Sequence, residues 1–224
     1  LIKKILEQTI ASADQDHLPV IGWFRPGELP DRTAFLLDNR LPNPGHAIAE
    51  QVLALEKAGA SVAAIPCNTA HAPLIFERMH NELAAQGSKI QFINMLAETM
   101  QHIRTYHPEL KRIAALSTTG TYRVNLYPDY LQNAGFQPVI PDESVQVEWV
   151  HNAIYDPQHG IKVTGYGTQQ ARAALINAIR HLKEKGAQAV ILGCTELPLA
   201  LTEKMIEDVP LLDPTLILAR ALIR

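Results

Sequence analysis

Two stretches of this chain repeat one pattern: Leu55-Glu-Lys-Ala-Gly-Ala-Ser-Val-Ala-Ala-Ile-Pro-Cys67 and Leu182-Lys-Glu-Lys-Gly-Ala-Gln-Ala-Val-Ile-Leu-Gly-Cys194. Leu55 aligns with Leu182, Gly59-Ala60 with Gly186-Ala187, and the only two cysteines fall in one register. Each copy reads as the last turn of a helix, a glycine stop, a buried strand, and a cysteine where the strand ends. Asn68-Thr69 and Thr195-Glu196 follow, and these residue types begin helices. A repeat of this kind restricts the chain to two equivalent α/β halves, each presenting one thiol at the carboxyl end of a strand.

The rest of the chain keeps the same rhythm. Apolar strand candidates lie at His17–Gly22, Ser61–Pro66, Ile90–Asn94, Arg112–Ser117, Phe136–Ile140 and Ala187–Gly193. Between them Ile48, Val52 and Leu55, and later Ala171, Leu175, Ala178 and Leu182, recur at helical spacing. Alternating strands and helices predict parallel sheets covered by helices. A boundary near Leu96–Thr105 separates the Cys67 half from the Cys194 half. The tail Pro210-Leu-Leu-Asp-Pro-Thr215, followed by Leu216–Ile223, reads as a strand and a closing helix that returns to the first half.

Composition excludes several classes. A net charge of −3 gives no basic footprint for nucleic acid or an anionic membrane. No apolar run approaches the roughly 20 residues of a membrane span, and no signal peptide opens the chain, so a cytoplasmic protein is expected. With 47% hydrophobic residues the core needs no disulfide, and reduced cysteines suit that compartment. The nine histidines form no metal motif. Cys67, His71 and Cys194 would leave a structural zinc one ligand short, and the Thr118-Thr-Gly-Thr121 loop lacks the glycine and lysine pattern of a P-loop.

Ligands of open parallel sheets bind outside the carboxyl ends of the strands, where both cysteines are expected. A helix amino end after each would favour a bound carboxylate and draw the thiol pKa below its free value of about 8.5. Two thiols facing one substrate form a sufficient acid–base set for inverting a carbon centre: one face loses a proton and the other gains one. Such chemistry requires no cofactor. Arg32, in Pro30-Asp-Arg-Thr33, offers a planar fork suited to binding a carboxylate. Glu196, beside Cys194, either orients the site or caps its helix, and His71 reads as a helix-start residue lining the cleft.

Pro66-Cys-Asn-Thr-Ala-His71, Gly193-Cys-Thr-Glu-Leu-Pro198, Pro30-Asp-Arg-Thr33 and Ala187–Leu192 resemble the cofactor-independent aspartate/glutamate racemases, most closely the aspartate racemase branch. The likeness runs from about Gln15 to the C-terminus through Asn94-Met95, Ser117-Thr-Thr-Gly-Thr121, Pro141-Asp142 and Asp213-Pro-Thr215. It implies two pseudo-symmetric α/β domains, each a parallel four-stranded sheet flanked by helices, with the active site in the cleft between them. We expect residues 1–97 with 208–224 in the first domain and 98–207 in the second. By the same resemblance Cys67 and Cys194 are the catalytic acid and base. Asn68, Thr69 and Thr195 match positions that hold the α-carboxylate, with Thr118 in the matching loop of the second half. Lys162 stands about where this branch has a lysine near its substrate. The expected activity is interconversion of L- and D-aspartate by a homodimer, without cofactor or metal. Glutamate or a broader amino-acid range is the alternative substrate reading, and a non-catalytic binding protein the alternative class. Family members open with a strand and a Gly-Gly-Met-Gly-type loop, so such a strand is expected ahead of Leu1.

Overall fold

Four helices of this protein end in the same way before a strand, and that turn sets the architecture. In the computed structural model, which describes residues 1–224, the elements of the first part are α1 (Ile2–Gln8), α2 (Arg32–Leu37), α3 (Pro44–Lys57), β1 (Val62–Ala64), α4 (Pro73–Ala85), β2 (Gln91–Ile93) and α5 (Met95–Tyr106). There follow β3 (Arg112–Ser117), α6 (Thr119–Arg123), α7 (Leu126–Asn133), β4 (Gln137–Val139) and α8 (Glu143–Val145), which runs through a π-helical turn (Gln146–His151) into α9 (Asn152–Tyr155). The remainder is α10 (Ile161–Thr164), α11 (Gln169–Glu184), β5 (Ala189–Gly193), β6 (Met205–Ile206), β7 (Val209–Leu212) and α12 (Pro214–Ile223).

After α3, the Gly59 amide bonds the Glu56 carbonyl at 2.9 Å and the Ala60 amide reaches the Leu55 carbonyl at 3.0 Å. After α11, Gly186 bonds Lys183 at 2.8 Å and Ala187 bonds Leu182 at 2.9 Å. These are equivalent Schellman stops, and both glycines take the left-handed φ that the motif demands, +98° and +89°. Gly87 after α4 and Gly135 after α7 repeat it. The internal repeat is therefore one backbone device used before each cysteine-bearing strand.

The chain divides into two units, Leu1–Thr99 with Thr215–Arg224, and Met100–Pro214. In the first, α3 buries Ile48, Ala49 and Val52 while α4 buries Ile75, Met79 and Leu83. The two helices approach so closely that a Cβ on Gly45 would lie 2.4 Å from the Ile75 carbonyl oxygen. Asn43 caps α3 through the Gly45 amide, and Pro44 occupies the first turn, where no amide is needed. The sheet of this unit has two parallel strands, with Val62 opposite Gln91 and Ala64 opposite Ile93.

The second unit has a five-stranded sheet in the order β4-β3-β5-β7-β6. Strands β4, β3, β5 and β7 run parallel, and β6 pairs antiparallel with β7. The β6–β7 hairpin turns at Glu207 and Asp208, both at positive φ (53° and 60°), the geometry of a type I′ turn. Every residue of β5 is buried, as expected of a central strand covered on both faces. Amphipathic α11, capped by Thr168, covers it with Ala171, Leu175, Ala178, Ile179 and Leu182. Each large side chain of that stripe contributes about 1.5–3 kcal/mol by burial.

The sheets thus have two and five strands where two four-stranded sheets were expected. His17–Gly22 is not a strand: it runs as irregular chain, with Leu18, Val20 and Ile21 about two-fifths exposed. A strand is stabilised by its ladder and a covered face, and this segment has neither. The remaining strand candidates form, each centred where expected, with β3 running over the full Arg112–Ser117.

Candidate active site

In the first unit, β1 gives way through Ile65-Pro66 to Cys67, a free thiol of intermediate exposure. The chain then tightens into a 3-10 turn, Asn68–His71, in which Asn68 and Thr69 are buried. Helix α2 packs on this turn. Arg32 is its first residue, after the Asp31 cap, and its Nη1 donates to the Pro30 carbonyl at 3.3 Å. A cation at a helix amino end opposes the backbone dipole, so Arg32 does not stand there for the benefit of its helix.

His71 is buried, at 2% exposure, rather than open to solvent. Its Nε2 lies 3.2 Å from the Met95 backbone N–H, which can only donate, so Nε2 accepts and the ring proton sits on Nδ1. Nδ1 accordingly donates to the Cys67 carbonyl at 2.9 Å. Burial pushes the His71 pKa down from 6.5 to about 4, keeping the ring neutral. Phe76 stacks on it with centroids 5.4 Å apart, and Phe92 lies at 6.3 Å. With both nitrogens engaged, His71 has no lone pair for zinc, and no group of three histidine, cysteine or carboxylate side chains in the chain is placed to hold a metal.

In the second unit the register Ser117↔Gly193 sets Thr118 and Cys194 side by side at the carboxyl edge of the sheet. Thr118 caps α6, its Oγ1 accepting from the Thr121 amide and lying 3.1 Å from Thr121 Oγ1. Cys194 is buried, and its Sγ donates to Glu196 Oε2 at 2.9 Å. Thr195 Oγ1 donates to the same oxygen at 3.1 Å. Glu196 Oε1 accepts from Lys162 Nζ at 2.5 Å, and that ammonium lies 5.6 Å from the centre of the Tyr155 ring. One connected group therefore holds Cys194, Thr195, Glu196 and Lys162.

Its electrostatics run against the expectation for Cys194. Burial, then the neighbouring Glu196 carboxylate, push the thiol pKa well above 9.0, where a helix amino end was expected to lower it. The turn after Cys194 is only a short 3-10 segment, Leu197–Leu199, and supplies little dipole. Burial acts to raise the Glu196 pKa, yet the hydrogen bonds from Cys194, Lys162 and Thr195 outweigh it and leave the carboxyl below its usual range. Burial likewise opposes charge on Lys162, and the Glu196 carboxylate reverses the sign, so its pKa is raised. The resting pattern is thiol, carboxylate and ammonium in a row.

Several residues of this site carry no signal in the sequence. Tyr155 stacks on His151 at 4.9 Å, and His151 Nδ1 lies 3.0 Å from Thr119 Oγ1. Gln146, fully buried in the π-helical turn, donates from Nε2 to the Ser117 carbonyl at 2.9 Å. A Cβ on Gly193 would meet Tyr127 Cε2 at 2.5 Å and the Leu116 carbonyl at 2.9 Å, so the residue before Cys194 has room for glycine alone. These contacts join segments distant along the chain and follow no periodicity.

Parallel strands ending in paired cysteine turns, one in each of two repeated segments, define the frame of an amino-acid racemase. The chain belongs to the Asp/Glu/hydantoin racemase family, which it matches over residues 1–222, and is thus an isomerase. Among solved structures it is similar to the aspartate racemase of Picrophilus torridus, with 27% identity, a TM-score of 0.79, and coverage of 99% of this chain and 85% of that one. It shares the fold of an aspartate racemase homologue from Pyrococcus horikoshii, with 24% identity, a TM-score of 0.64, and coverage of 80% and 73%. Among characterised sequences it is 27% identical to the broad-specificity amino-acid racemase RacX of Bacillus subtilis, over 78% of this chain and 69% of that protein. No helix is long and apolar enough to cross a membrane.

Proposed function

We propose that the protein interconverts L- and D-aspartate by a two-thiol mechanism, with Cys67 and Cys194 acting on opposite faces of Cα. The observation that carries the reading is the matched placement of the two thiols: each follows a parallel strand that is entered from an equivalent glycine stop. One sulfur, as thiolate, takes the α-proton, and the other, as thiol, gives its proton to the opposite face. The amino acid leaves inverted, and thiol and thiolate have exchanged places. In the resting enzyme Cys194 is the proton donor, because burial and Glu196 hold it protonated; in the reverse direction the Cys194 thiolate takes the α-proton and so returns to the thiol form.

Asn68, Thr69, Thr118 and Thr195 supply donors for the α-carboxylate, and Arg32 binds the side-chain carboxylate. Lys162, paired with Glu196, serves the substrate through the charge it places beside Cys194. Aspartate is favoured by the likeness to the P. torridus enzyme. A broader range is the second reading, supported by the likeness to the broad-specificity B. subtilis racemase. We further read the protein as a cytoplasmic homodimer that uses neither pyridoxal phosphate nor metal, two reduced thiols being sufficient for both proton transfers.

Chiral chromatography of an amino-acid panel incubated with the enzyme tests the activity. Aspartate should racemise fastest, and exhaustive dialysis against chelator should leave the rate unchanged. Cys67→Ala and Cys194→Ala should each lower interconversion by about 10²–10⁴-fold, the usual contribution of an acid or base. Either variant retaining more than about a tenth of the activity would remove the two-base mechanism.

A further inference from the structure

The two halves orient their thiols by different means. Cys194 is held through its own sulfur, by Glu196. Cys67 is followed four positions later by His71, whereas the fourth residue after Cys194 is Pro198, so the second half has no counterpart to that imidazole. Nor is His71 spare. Its ring joins the Cys67 carbonyl to the Met95 amide across 24 residues of chain. Met95 opens α5, and its N–H is one of four amides at that end with no partner inside the helix. Asn94 takes two of the others, Leu96 and Ala97, through its side chain, and its carbonyl accepts the first bond of the helix from Glu98. His71 therefore caps α5 at Met95 and places its other nitrogen on the backbone of Cys67.

We propose that His71 is a positioning residue for Cys67: as the Nδ1–H tautomer, packed in one aromatic cluster with Phe76 and Phe92, it ties the Cys67 carbonyl to the amino end of α5 and so fixes where the thiol points. The inference rests on the two-thiol reading for its catalytic consequence, while the tie itself is independent of it. The turn is short and Cys67 has extended backbone, with φ −151° and ψ 108°, so the carbonyl and the side chain rotate together about one residue. Releasing the carbonyl lets the sulfur swing, and misplacement of a reacting group by about 1 Å costs up to 10²-fold in rate. Two side chains separate the components of the role. His71→Phe preserves the aromatic stack and removes both hydrogen bonds. His71→Asn presents an amide nitrogen where Nδ1 stood and restores the bond to Cys67 alone.

The test has a kinetic and a structural part. His71→Phe should lower kcat for aspartate about tenfold to a hundredfold with KM changed less than about threefold, and His71→Asn should recover part of kcat. Wild-type kcat in His71→Phe, or equal losses in both variants, would overturn the positioning role. In parallel, ¹⁵N-histidine NMR should find His71 neutral with a bare Nε2 at pH 7, and amide exchange at Met95 should quicken in both variants. A protonated Nε2, or Met95 exchange unchanged, would refute the tie whatever the enzyme's substrate. Iodoacetamide labelling in a Cys194→Ala background, where Cys67 is the only thiol, covers the case of no racemase activity. A Cys67 rate that His71→Phe shifts several-fold and His71→Asn shifts less supports positioning; equal rates in all three proteins defeat it.

Discussion

A neutral imidazole buried as deeply as His71 should make the stability of this protein fall steeply in mild acid. Folding lowers the pKa of this group from its ordinary 6.5 to about 4, so between those values the unfolded chain binds a proton that the native protein refuses. Stability therefore rises with pH across the window. It is fully present above about pH 6.5 and declines as pH falls toward 4, where the folded form begins to accept the proton. At about 1.4 kcal/mol for each unit of difference, the loss by pH 4 is about 3 kcal/mol from this single side chain. That is a large share of the 5–15 kcal/mol typical of a folded protein. Urea unfolding of wild type and His71→Phe at a series of pH values between 7.5 and 4 isolates the term, because every other ionisable side chain is common to both proteins. The two curves of stability against pH should converge by about 3 kcal/mol as pH falls, with the variant less stable at neutrality and much flatter below pH 6.5. Parallel curves would show that His71 binds its proton as readily in the native state as in the unfolded chain, and its placement as a buried neutral ring clamping Cys67 would be refuted.

Three further outcomes follow from the geometry. Arg32→Ala should lower kcat/KM for aspartate about tenfold to a hundredfold, the worth of a charge-assisted contact, with Tm changed little because its 3.3 Å hydrogen bond to the Pro30 carbonyl adds little stability; Arg32→Lys should recover only part, and a fully active Ala variant would make Arg32 a bystander. Glu196→Gln removes the carboxylate that helps hold Cys194 protonated, so iodoacetamide should label Cys194 faster at pH 8 than in wild type, and a slower or equal rate would show that the carboxylate does not govern the thiol. Gly193→Ala should cost about 1–3 kcal/mol in urea unfolding, since the added methyl meets the Tyr127 ring and the Leu116 carbonyl; a variant as stable and active as wild type would mean that the strand end before Cys194 is free to move.

What the sequence alone determined is local and periodic. Leu55–Cys67 and Leu182–Cys194 share glycine, apolar and cysteine positions because one helix-stop geometry and one buried strand impose them, and such constraints act within a dozen residues. The burial stripe of α11 and the strand β3 were legible for the same reason: one face of each meets a core, and the period records it. The parallel-strand rhythm, the two thiols and the family likeness all came from these short-range patterns. His17–Gly22 marks the limit of that reading, because an apolar run becomes a strand only when another strand lies beside it, and none does. Partnership was equally invisible at the sites. Lys162 pairs with Glu196 and His71 with Met95, contacts between residues far apart in the chain whose identities alone admit many other partners. The sign of the Cys194 perturbation was decided the same way: a helix amino end would have lowered it, but burial among side chains from several elements, with a carboxylate at 2.9 Å, raised it. Spacing along the chain reveals which groups are present, while their charge and proton state depend on neighbours that only tertiary packing brings into contact.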